Sequence, residues 1–316
     1  MKPGAGRVVF GVGLLAGAGC SAVLGIDADR YLAAPRETAD AGTDGSSDAA
    51  PDGSSDAAPT GLDDARNDAA LIDPWACLSQ PPEVLDPDLQ VTVTVQVMNA
   101  VDYSVAAGSV DGGSDLDTIS GSWLPGVSIR PCDLLDPDCT TAPKAVVTND
   151  AGMAVFELTG AFEGFFDLRR SDLVPATLYP GNLLAGQTTA TVPAYGIRPG
   201  ALEAIAQNAD VSLELDAGVG HAFVTIYDCQ DHQAAGVVLA YENQGASAIP
   251  FYFDNGLPNP AATETDGYGL GGAINVQVGT LTVTATLATS GARVGTRSFD
   301  VRPGALTFAW IRVRSH

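Results

Sequence analysis

The chain has 316 residues, 15 of them basic and 38 acidic, a formal net charge of −23 and only two lysines, Lys2 and Lys144. That balance repels a phosphate backbone and excludes nucleic acid as a partner, the basic residues at 169–170 and within 293–315 being small clusters that offset nearby carboxylates. Once terminal segments are set aside, the length has room for two ordinary domains.

Lys2 and Arg7 precede a small apolar run, VVFGVGLLAGAG at 8–19, and Cys20 follows directly. This resembles a lipoprotein export signal, in which the cysteine becomes the lipidated first residue. Ala18 and Gly19 fit that pattern, whereas Gly17 stands where such motifs usually carry leucine. Ordinary signal cleavage and retention as an anchor are the alternatives, the latter because apolar character runs on to Ile26. A stable span needs about 20 strongly apolar residues, and this one is glycine-rich. By the same resemblance, Ser21 in place of aspartate points to the outer membrane.

Residues 20–74 read as a disordered acidic tether. DGSSDAAP occurs at 44–51 and again at 52–59, a composition that repels itself and cannot form a core. Cys77, Cys132, Cys139 and Cys229 remain after Cys20, an even number that suggests two disulfides in an exported chain. Three pairings of these four are possible; Cys132–Cys139 is the one expected from local spacing, with Cys77–Cys229 following by elimination. The short loop is worth about 2–3 kcal/mol of chain entropy.

From Trp75 onward the pattern is all-β. LQVTVTVQVMNAV at 89–101 alternates as a half-buried strand does. Short strands follow at 122–131, on both sides of the turn Asn149, Asp150, Ala151 and Gly152, and at FEGFFDLRRSD, LVPATLYPG and TTATVP. PGALEAIAQNAD at 199–210 is the one helix, opened by Pro199 and placing Leu202, Ile205 and Ala206 on one face. Strands then return at 221–228, 236–243, 250–255, 274–288, 293–303 and 306–314. Many short strands between turn residues indicate sandwiches.

The order Gly-Val strand, excursion, threonine turn, strand, Gly-led strand occurs twice. GVSIRPCD, VVTNDAGMAVFEL and EGFFDLR answer to GVVLAYEN, AATETDGYGLGGAINV and GTLTVTATL. With Thr148 to Phe156 in one copy and Thr265 to Gly269 in the other, this resembles prealbumin-like or carboxypeptidase-regulatory-like domains. GCSAVLGID, FYFDNGLP and VRPGALTFAWIRV resemble lipoproteins of myxobacterium-like bacteria. The resemblance implies two Greek-key β-sandwich modules, 75–198 and 199–316 with the helix leading the second, and accessory, adhesive or spacer roles. It brings no catalytic residue.

The remaining chemistry is sparse. Cys132 and Cys139 lack the paired-knuckle spacing of zinc and the C-x-x-C of a redox centre, and Asp133, Asp136 and Asp138 lack the glycine and glutamate of a calcium loop. His232 with Asp228, Asp231 and His221 is the alternative metal constellation. No HExxH, Gly-x-Ser-x-Gly or Walker loop occurs. No metal, cofactor or catalytic residue is therefore expected. Phe251, Tyr252 and Phe253 are consecutive, so one must leave the core; with Tyr241, Tyr268 and Trp310 they form a candidate binding strip. The expectation is a lipid-anchored, non-catalytic surface protein that contacts a glycan or envelope protein. A structural component of an envelope assembly, or an accessory module for a separate enzyme, are the alternatives.

Overall fold

The computed structural model describes residues 73–80, 86, 88–100, 123–181, 187–214, 218–254 and 257–313. Cys20, the export signal and nearly all of the acidic tether lie outside the described residues. The described part holds fifteen strands and one α-helix. Among these residues no helix is long and apolar enough to cross a membrane.

The first half carries β1 (Gln90–Asn99), β2 (Ser128–Asp133), β3 (Val146–Val147), β4 (Met153–Thr159), β5 (Gly164–Arg169), β6 (Ala176–Tyr179) and β7 (Thr189–Gly196). Helix α1 (Pro199–Asn208) follows, with Pro199 in its first turn, where a missing N–H costs nothing. The second half carries β8 (Val219–Tyr227), β9 (Val237–Glu242), β10 (Ile249–Asp254), β11 (Leu257–Asn259), β12 (Leu270–Gln277), β13 (Gly279–Leu287), β14 (Arg293–Val301) and β15 (Leu306–Arg312). The expected strand over 274–288 is two strands, β12 and β13. The chain leaves one sheet at Val278 and enters another.

Two three-stranded sheets, β4-β1-β7 and β14-β13-β9, flank one sheet of nine in the order β11-β10-β12-β8-β15-β6-β5-β2-β3. The join at the centre of the nine is a parallel pairing of β15 with β6, Leu306 opposite Ala176 through Ala309 opposite Tyr179. The division expected between 198 and 199 is therefore crossed by a continuous sheet.

Alternate residues of the nine-stranded sheet enter two different cores. Ile129, Phe166, Leu178, Phe223, Leu306 and Phe308 share one with the valines of β1 and the buried face of α1. Phe165, Tyr179, Val224 and Ile311 share the other with Leu281, Val283 and Phe299 of the flanking sheet. A sheet covered on both faces reads as a continuous apolar run, and β8 is buried over eight of its nine residues. The outer flanking sheet keeps the half-buried alternation instead: Val91, Val93, Val95 and Val97 are buried, while the threonines and glutamine between them are half-buried.

The two halves repeat one another at the level of single hydrogen bonds. Gly152 and Gly269 both lie at positive φ, 69° and 60°, and each leaves room for a neighbouring backbone. A Cβ on Gly152 would stand 2.6 Å from the Val97 carbonyl oxygen, and one on Gly269 would stand 2.6 Å from that of Ile226. Val97 N–H donates to Gly152 and Ile226 N–H to Gly269, both at 2.8 Å. On that correspondence β1, β2, β4, β5, β6 and β7 answer to β8, β9, β12, β13, β14 and β15.

Candidate contact surface

The aromatic strip expected from the sequence is core. Phe251 and Phe253 are each 1 % exposed and Trp310 is 4 % exposed. Phe223 stands edge-on to Phe251, Phe253 and Phe308, with ring centroids 5.6–6.3 Å apart. Tyr252 is buried on the opposite face, where its hydroxyl accepts the Leu239 N–H at 2.8 Å. Tyr241 packs against that same core, and burial pushes its hydroxyl well above the usual tyrosine range. Tyr268 is half-buried beside the other core, its N–H given to Asp266 at 2.9 Å. Consecutive aromatics avoid solvent here because β10 lies in the middle layer, where both faces are covered.

The acid–histidine group at 221–232 is dispersed. His221 is fully buried; its Nδ1 accepts the Asn275 N–H at 3.2 Å, and burial lowers its pKa to about 4. His232 lies outside on the turn, 3.9 Å from the Asp228 carboxylate. Asp228 is spent on that turn, accepting the N–H groups of Gln230 and His232 at 2.8 and 2.9 Å. Asp231 pairs with Arg312 at 2.9 Å. Among the described residues no group of three or more His, Cys, Asp or Glu could hold a metal ion.

Both disulfides are present, Cys132–Cys139 with Cα atoms 5.2 Å apart and Cys77–Cys229 with Cα atoms 5.7 Å apart. Inside the short loop Asp136 accepts the Thr141 N–H at 2.6 Å and the Thr140 and Thr141 hydroxyls, which hold its carboxyl well below the usual carboxylate range. Asp133 accepts the Leu135 N–H at 2.8 Å. These aspartates cap turns. The loop tip is apolar instead: Leu135 is 92 % and Leu134 43 % exposed. Cys77–Cys229 has a wider reach. Together with the Cys229 N–H bond to the Pro74 carbonyl, it clasps the start of the folded chain to the second half.

The seam between the halves is tied by charge as well as by strands. Asp167, buried on β5, takes Arg302 at 3.2 Å and Arg169 at 2.8 Å. The Arg302 guanidinium lies over the Phe165 ring, 4.8 Å from its centroid, and also donates to the Pro137 carbonyl of the stapled loop. Tyr179 stacks between Phe165 and Phe299, and its hydroxyl accepts the Asp300 N–H at 3.3 Å. This seam is not legible in the sequence. The repeat was the available signal: a strand repeated in both halves but apolar on both faces in only one of them marks the place where the halves meet.

No protein-family model matches the chain, and no curated protein matches it. Among solved structures, the shaft pilin SpaA from Lactobacillus rhamnosus GG is similar at 12 % identity and a TM-score of 0.24, over 70 % of this chain and 97 % of that one. GBS52, the minor pilin of Streptococcus agalactiae, is similar at 14 % identity and 0.21, over 70 % and 94 %. A streptococcal ancillary pilin is similar at 10 % identity and 0.22, over 72 % and 64 %. Scores this low carry no functional inference.

Proposed function

We propose that the chain is a lipid-anchored, non-catalytic structural component of the cell envelope, held at the outer membrane through Cys20 and lifted off it by the acidic tether of residues 20–74. Its head is a pair of sandwich units of the prealbumin-like kind, fused into one rigid body. The β15–β6 pairing carries this reading, because it turns two repeats into a single nine-stranded sheet. The Cys77–Cys229 clasp supports it: tension arriving along the tether enters the second unit covalently before it reaches β1. A structural role is favoured over glycan display because Phe251, Tyr252, Phe253 and Trp310, the rings a sugar would stack on, are inside the protein.

Two measurements test this reading. Labelling cells with an alkyne-tagged palmitate should mark the wild-type chain and leave Cys20→Ser unmarked and released from the membrane fraction; equal labelling of both would defeat the anchor. Native-state hydrogen exchange should show the amides of β6 and β15 opening together in one global event. Separate opening of the two halves would defeat the rigid body.

A further inference from the structure

The two halves differ at one strand edge in a way that points to a partner. In the second half β12 is covered along its outer edge by β10, antiparallel, with Phe251 opposite Gly272 and Ile249 opposite Ile274. Its counterpart β4 has no described strand on that side. The β1–β4 ladder is bracketed by Val97 N–H to Gly152 and Gly160 N–H to Leu89. Bonded residues alternate in an antiparallel ladder, so Ala154, Phe156 and Leu158 bond to β1 while Val155 and Glu157 turn their N–H and C=O groups outward. Val155 and Glu157 hold the places of Gly272 and Ile274, two of the four residues opposite β10. Val155 is 52 % exposed.

Among the described residues the outer edges of β7 and β14 are also unpaired where their counterparts β15 and β6 are paired, and both carry features set against pairing. On β7, Pro193 stands opposite Gln96 where Trp310 stands opposite Thr225 on β15, so an outward N–H is missing. On the β13–β14 face, Thr282 and Ser298 are hydrogen-bonded to each other at 2.8 Å in the places held at the seam by Phe165 and Tyr179. Polar substitution of a stacking face caps a repeat. β4 carries no proline, and Val155 on its outer face is apolar and exposed.

We infer that the outer edge of β4 is a strand-acceptor site for an extended, basic segment of a partner polypeptide, which runs antiparallel and pairs at Val155 and Glu157. Main-chain bonds supply the affinity, as they do between β10 and β12. Charge selects the occupant. The Glu157 carboxylate is held on the outer face by the Thr92 hydroxyl at 2.9 Å, and the chain as a whole carries −23. Lysine or arginine across from Glu157 is attracted, and a second copy of this acidic chain is repelled. The site does not depend on lipid at Cys20.

The test uses the full chain in detergent and two capped heptapeptides, Lys-Val-Lys-Val-Thr-Val-Lys and the same peptide with glutamate for each lysine. The lysine peptide should slow hydrogen exchange at the Val155 and Glu157 amides at least tenfold, and the glutamate peptide should not. Val155→Pro removes an outward donor without touching the bonds to β1, so protection at Glu157 should vanish while the melting temperature barely moves. Glu157→Lys should reverse the peptide preference, a readout that stands even where Val155→Pro unfolds. No protection by the lysine peptide, equal protection by both peptides, or an unchanged preference in Glu157→Lys would overturn the assignment. So would slowing of these amides by protein concentration alone, since the occupant would then be a second copy.

Discussion

Thr148 and Thr265 make the same pair of bonds in the two halves of the chain. Each hydroxyl donates at 2.7 Å to a carbonyl, that of Leu124 or Ala234, and accepts the N–H of Val127 at 3.0 Å or Val237 at 3.1 Å. Both threonines are buried, so each closes two main-chain groups that no water reaches. Replacing either by valine keeps the shape and orphans both groups. Thr148→Val and Thr265→Val should each cost about 1–3 kcal/mol in urea unfolding, and the corresponding serine variants less.

The turn glycines separate backbone strain from steric clash. A Cβ on Gly126, at φ 77°, would meet nothing within 4 Å, so Gly126→Ala should lose only the left-handed penalty of about 1–2 kcal/mol. Gly152→Ala adds a contact of 2.6 Å with the Val97 carbonyl oxygen, and Gly269→Ala adds 2.6 Å contacts with Ile226 and Ala234. Both should fall further than Gly126→Ala in the same denaturation series. Equal losses at all three positions would mean that the β1 and β8 backbones give way.

His221 makes stability depend on pH. Its folded pKa of about 4 lies below the 6.5 of an exposed histidine, so between those values the unfolded chain holds a proton that the native chain does not. Stability contributed by the neutral ring should therefore be complete above about pH 6.5 and fall by about 3 kcal/mol as the pH drops to about 4. Unfolding free energies across that range should show this slope in the wild type and a flatter one in His221→Gln.

Cys77–Cys229 spans 152 residues and closes β1 to β8, with α1, into one loop. Its removal frees far more unfolded-chain entropy than removal of Cys132–Cys139, which spans 7. The double variant Cys77→Ala/Cys229→Ala should lose about 5 kcal/mol and Cys132→Ala/Cys139→Ala about 2–3 kcal/mol, as read from midpoint shifts in guanidinium.

Arg302→Met should loosen the seam by about 1–3 kcal/mol, because it leaves the buried Asp167 carboxylate with Arg169 as its remaining salt-bridge partner. Exchange at the β6 and β15 amides should quicken by the same factor as global unfolding, since those amides open in the global event.

The sequence by itself determined everything that depends on near neighbours. Alternation along 89–101 set the inward valines of β1, Pro199 and the apolar spacing set α1, and the short spacing of Cys132 and Cys139 set their disulfide, leaving Cys77–Cys229 by elimination. The threonine turns disclosed the repeat because their bonds close within each half. Only the tertiary structure decided which strand faces are covered. A period of two separates the faces of a strand and cannot say whether the second face meets water or a third layer. Phe251, Tyr252, Phe253 and Trp310 therefore look like a surface in the sequence and are core in the fold, since the β15–β6 pairing joins strands about 130 residues apart. The same non-local pairing covers the edges of β6 and β15, while β10 covers that of β12 and no described strand covers that of β4.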